Sequence, residues 1–151
     1  MKHILLTAAL LLIALIDLNA QSYEYKVITS VESIVPMGVG RSRIISSEEN
    51  KNFTDFTSER TEDNNKQNKS KRSDIKIDNF EETKLLNFFS IAGINFKNIA
   101  SNDAIISSKI NAMVSKGWDL AFVVSGVESD AGKDDGQGIY ITRYIFKRMK
   151  Q

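Results

Sequence analysis

Ile106-Ser107-Ser108-Lys109-Ile110-Asn111-Ala112-Met113-Val114-Ser115-Lys116-Gly117-Trp118-Asp119-Leu120-Ala121-Phe122-Val123-Val124-Ser125 holds the transition on which the fold turns. Up to Val114 the apolar residues keep helical spacing, with Ile106, Ile110, Met113 and Val114 on one stripe. After Gly117 they fall at every second position: Trp118, Leu120, Phe122 and Val124 alternate with Asp119, Ala121, Val123 and Ser125, the period of a strand. Gly117 stops the helix, because glycine enters the left-handed region at little cost. Ser101 or Asn102 can cap the helix start, and Asp103 suits the positive end of its dipole.

Downstream, a strand runs from Ile139 to about Lys147, with Tyr140, Tyr144 and Phe146 on one face and Ile139, Ile141 and Ile145 on the other. Apolar residues on both faces place it inside a sheet rather than at its edge. The polar, glycine-rich stretch before it makes a hairpin with the Trp118–Ser125 strand the simplest connection. At the other end of the chain, Tyr23, Tyr25, Val27 and Val31 alternate with Glu24, Lys26 and Ser30, the pattern of a half-buried strand. Pro36-Met37-Gly38-Val39-Gly40 reads as a turn, and Arg43-Ile44-Ile45 as a short returning strand. The sum is an α+β fold: an antiparallel sheet of about four strands with one or two helices packed on one face.

Between these parts the composition changes. Thr57 to Asp74 contains no hydrophobic residue, so it cannot offset its ordering entropy by burial. It is expected to form a flexible polar insertion, at about 47–78, within a single domain of residues 21–151. Beyond it, Asp78 or Asn79 followed by Glu81 or Glu82 resembles a capping box. Leu85, Leu86, Phe88 and Phe89 then read as a helix ending before Gly93, with a strand as the alternative.

Three motifs carry a resemblance. Tyr23-Glu24-Tyr25-Lys26-Val27, Gly117-Trp118-Asp119-Leu120 and Tyr144-Ile145-Phe146-Lys147-Arg148 resemble a short bacterial domain-of-unknown-function family with YEYKV, GWEL-like and YxxKR-like motifs. Asp119 stands where the family usually has Glu, and the region from Gly38 to Ala100 has no counterpart in its short members. The resemblance implies a β…αββ order and an exported, insertion-bearing relative. It transfers no activity.

Composition narrows the chemistry. The chain has no cysteine, and its one histidine, His3, lies in an N-terminal segment with the pattern of a signal peptide, residues 1–20. That segment has Lys2, an apolar run from Ile4 to Ile16 broken by Thr7, and the small residue Ala20 at the cleavage point, with Gln21 opening the mature chain. The run stops at Asp17, short of the roughly 20 residues of a membrane span. Without imidazole or thiol, the mature chain is barred from a Ser-His-Asp triad, a cysteine nucleophile, a His or Cys zinc site and a disulfide. A formal charge of +1 argues against nucleic acid or an anionic membrane surface as the main partner.

Four local features remain. Glu128 to Gly138 puts Asp130, Asp134 and Asp135 in one loop, the oxygen-rich material that Ca²⁺ prefers, but without EF-hand spacing. Gly38, Gly40, Arg41 and Arg43 offer backbone amides and guanidiniums to an anion. Ser73-Asp74-Ile75-Lys76 matches S-x-x-K beside the insertion, without the K-T-G strand its chemistry requires. Trp118, Tyr140 and Tyr144 could line an aromatic groove, though aromatics at strand spacing more often fill a core. The expected protein is a non-catalytic module of the periplasm or cell envelope, periplasmic or secreted, that binds a protein or envelope component and needs no cofactor. The alternative is a small metal-assisted hydrolase using the 128–138 loop.

Overall fold

A computed structural model describes residues 22–35, 41–63, 67–90, 92–128 and 138–150. The signal segment, Gly38 and Gly40, and Asp130, Asp134 and Asp135 lie outside the described residues. The chain runs β1 (Tyr23–Ser33), β2 (Arg43–Ser47), a 3-10 turn (Phe53–Phe56), α1 (Arg72–Ile75), β3 (Phe80–Lys84), β4 (Phe89–Ser90), β5 (Gly93–Ile94), α2 (Phe96–Val114), β6 (Asp119–Glu128) and β7 (Ile139–Met149). Five strands form one antiparallel sheet in the order β3-β2-β1-β7-β6, and β4 and β5 make a separate small ladder. The fold is α+β, with one strand more than the sequence implies.

The extra strand is β3, where a helix is expected. Its residues pair with β2, Arg43 opposite Lys84 and Ile45 opposite Glu82, and the Leu85 amide extends the ladder by donating to the Ser42 carbonyl at 2.9 Å. The amides of Asp78 and Asn79, read as a helix start, donate instead to Oε1 of Glu49 at 3.2 and 2.8 Å. These bonds hold the Glu49 carboxyl below its ordinary range, and they close the base of the β2–β3 connection. Within that connection the described residues have hydrogen-bonded turns that the composition does not announce. Asn68 donates to the carbonyls of Asp55 and Thr57, and Lys51 Nζ donates to the Asp74 carbonyl.

Helix α2 begins earlier than the Ser101-Asn102 reading places it. Asn95 is the cap, its side chain accepting from the Lys97 and Asn98 amides at 3.1 and 3.3 Å. Ser101 is interior and bonds back to the Lys97 carbonyl, while Asn102 is buried. The end follows the sequence. Gly117 takes φ +80°, its amide donates to Val114, and the Trp118 amide donates to Met113, closing the helix with a glycine cap.

The core lies between α2 and one face of the sheet: Ile28, Ile44 and Phe146 meet Met113, Trp118 and Leu85, with Ile106, Ile110 and Tyr144 around them. Each side chain of this size contributes about 1.5–3 kcal/mol when fully buried. Register decides which residues share this face. Opposed pairs put Lys26, Ile28, Ser30 and Glu32 of β1 with Phe146, Tyr144, Thr142 and Tyr140 of β7. The alternation read in β1 is therefore real but points the other way. Its tyrosine and valine face is turned from the helix, and Ser30, Ser46 and Glu32 are sealed beneath α2. In β6 a bulge between Leu120 and Phe122 breaks the expected alternation, setting Leu120 opposite Phe146 but Phe122 opposite Ile145.

Candidate functional site

The face away from α2 carries Tyr23, Tyr25, Val27, Thr29 and Val31 of β1, with the β7 residues opposite them, Met149, Lys147, Ile145, Arg143 and Ile141. The β6 bulge adds Phe122 and Val124, opposite Ile145 and Arg143. Pairing places Val27, Ile145 and Phe122 in one row across β1, β7 and β6, and sets Phe80 opposite Ser47 at the β2–β3 side. Among the described residues no helix covers this face, and Phe122 is 63 %, Tyr25 61 % and Val124 57 % exposed. A contiguous apolar area of this kind on a sheet face marks an interaction surface.

The face also has relief and charge. Gly126 sits opposite Ile141, and a Cβ there would meet nothing within 4 Å. Together with Val124, Glu128, Ile141 and Arg143 it lines a groove of about 280 Å³. Lys147 lies over the Tyr23 ring at 5.1 Å and opposite Asp119, and on β2 the Arg43 guanidinium donates to Glu82 at 3.0 Å. Beside the face, β6 is an edge strand of ten residues whose middle, Ala121 to Val127, has no charged side chain. Such an edge offers unpaired backbone groups to another strand.

The expected site residues fall elsewhere. Arg43 is on this face, engaged with Glu82, and Arg41 is half-buried just before β2. Ser73 Oγ donates to Asp74, not to Lys76, on the exposed four-residue α1. The three aromatics do not share a groove. Trp118 is buried with the Arg148 guanidinium 4.4 Å above its ring, Tyr144 packs at the helix seam, and Tyr140 bonds Ser125 across β6–β7. Burial raises the Tyr144 hydroxyl above its usual range, with the Ser30 hydroxyl opposing. The seam between α2 and the sheet leaves a gap of about 10 Å³ bordered by Ile28, Ile44, Ile106 and Phe146, too small and too apolar for a substrate.

One buried polar link was not foreseen. Asn102 accepts from the Leu86 amide at 2.7 Å, donates to the Leu86 carbonyl at 2.8 Å, and donates to Glu32 Oε1 at 2.8 Å. It ties the middle of α2 to the strand-to-helix connection and to β1. Burial lifts the Glu32 carboxyl above its ordinary range, the Asn102 bond opposes this, and Asp103 adds to it. The signal for the open face was present in β7, whose two apolar faces need two covers while the sequence supplies one long helix. No family model matches the chain, and no curated protein and no solved structure matches it.

Proposed function

We propose that this chain is an exported, non-catalytic binding module of a bacterial periplasm or cell envelope, and that it engages a protein or envelope component through the open face of its sheet. The observation that supports this reading is the apolar row of Val27, Ile145 and Phe122, flanked by the exposed Tyr25 and Val124 and left uncovered on the far side from α2. Surface area of this chemistry costs solubility unless something covers it. Outside the N-terminal segment the chain has neither histidine nor cysteine, and among the described residues Ser73 and Lys76 line an open mouth beside the four-residue α1 rather than an enclosed cleft. Nor is any helix among them long and apolar enough to cross a membrane. The N-terminal pattern, with its basic start, apolar run and Ala20, supports export. So does the resemblance to exported bacterial relatives.

The test has two arms. Intact mass of the protein in the envelope fraction should begin at Gln21; retention of Met1 there overturns export. The immobilised chain should capture an envelope component that the Phe122→Asp, Val124→Asp double variant does not. Equal capture by both proteins, with the variant folded by circular dichroism, overturns the assignment of binding to this face.

A further inference from the structure

We propose that the open face is covered by the same face of a second copy of this chain, giving a two-fold β-sandwich with the two α2 helices on its outer sides. This rests on the binding reading above and names one partner for it. A sheet that is apolar on both faces needs a cover on each, and among the described residues the only helix longer than four residues, α2, already serves the Ile28 and Phe146 side. What fits a flat, twisted apolar sheet face best is another such face, stacked about 10 Å away with side chains interleaved.

The four strands that this stacking covers, β2, β1, β7 and β6, have 5, 11, 11 and 10 residues. At about 3.3 Å per residue and 4.8 Å between strands they present roughly 590 Å² of flat surface. Two such faces bury about 1,200 Å², the lower end of the range of specific, stable interfaces. A short peptide would cover one or two of these strands and leave the rest wet.

Charge and shape agree with one two-fold arrangement. A two-fold axis parallel to the strands, between β1 and β7, carries β6 of one copy over β2 of the other. Gly126, level with Arg43 in the sheet register through Ile141 and Val31, then faces Arg43 of the second copy. The side chain that glycine lacks leaves room for the guanidinium, which keeps its own Glu82 while Glu128 beside the notch adds a second carboxylate. The same axis sets Arg143 of one copy over the Thr29 hydroxyl of the other. Every such contact occurs twice, as an isologous interface requires.

The experiment is a concentration series of the purified chain by sedimentation velocity, with site-specific cross-linking. The chain has no cysteine, so one introduced thiol reports one position. At about 100 µM the protein should run as a dimer, since specific interfaces of standard size hold to micromolar or tighter and this one sits at the lower end of that class. Phe122→Asp with Val124→Asp should give a folded monomer, and Gly126→Trp, which fills the notch in open space, should weaken the dimer by tenfold or more. Thr29→Cys, next to the axis, should join two chains through a short bis-maleimide, while Val123→Cys, on the helix side of β6, should not. A monomer at every concentration overturns the proposal, as does a dimer that persists in the double aspartate variant. Efficient cross-linking at Val123→Cys but not Thr29→Cys overturns it in favour of pairing between β6 edges. A monomer that still captures an envelope component through Phe122 sinks the dimer alone; a face-to-face dimer that captures nothing upholds the dimer and sinks only a separate envelope partner for this face.

Discussion

Val27 and Ile28 are neighbours in β1 and both aliphatic, yet Val27 is 46 % exposed and Ile28 2 %. The two faces they represent differ in how they are held. Under α2 the sheet is partly polar, with Ser30, Ser46 and Glu32 sealed in, and Asn102 fixes the helix by three directed hydrogen bonds. On the other side the sheet is more apolar, and among the described residues no helix side chain locks onto it. Burial in this protein thus follows where the helix is anchored, not which strand face is greasier. The first face is specified by geometry within the chain; the second is left with surface to offer.

The comparison predicts unequal costs for equal truncations. Phe146→Ala, from a fully buried position, should destabilise the protein by about 3–5 kcal/mol. Phe122→Ala should cost no more than about 0.5 kcal/mol in dilute solution. Chemical denaturation of both variants checks this, and a similar loss in the two would erase the distinction between the faces. Next in size is the anchor: Asn102→Ala leaves the Leu86 amide and carbonyl without their partner, at a cost of about 2–3 kcal/mol. Hydrogen exchange at Leu86 should accelerate in that variant even at full helicity.

A smaller effect, with a sign that can fail, belongs to Glu32. Its folded-state pKa lies above the ordinary value of 4.5, so the native state holds the proton more tightly than the unfolded chain. The stability this lends is fully present below that value and is lost as pH rises through the raised one. At neutral pH the ionised carboxylate weighs against the fold. Glu32→Gln, whose carbonyl still accepts from Asn102, should raise the Tm at neutral pH and flatten its fall as pH rises above the ordinary carboxylate range. A lower Tm for Glu32→Gln at neutral pH would mean that the charge is needed where it is.

Much of the fold was legible because local signals agreed with tertiary packing. The period switch at Gly117 and the double-sided β7 read directly from side chains. What misled was local chemistry whose partner lies far along the chain. Asp78 and Asn79 resemble a helix start, but their amides are taken by Glu49. Ser101 and Asn102 look like caps, yet Asn102 is a buried fastener for Leu86 and Glu32, residues 16 and 70 positions away. Periodicity in β1 gave two faces correctly but not which one the helix would choose, since Ile28, Ile44 and Phe146 become one surface only through pairing. The bulge after Leu120, which moves Phe122 to the open side, leaves no mark in the sequence. Of the candidate site, only Arg43 was named in advance, and for an anion rather than for a shared face.

Thiol labelling of Val27→Cys and Ile28→Cys, one at a time in dilute native protein, tests the account most directly. The account predicts that the thiol at position 27 reacts with a maleimide at close to the rate of a free cysteine, and that the thiol at position 28 reacts only as the protein opens, slower by at least the factor of about 10³ that a marginally stable fold provides. Equal rates at the two positions, or protection at 27 with ready reaction at 28, would contradict it.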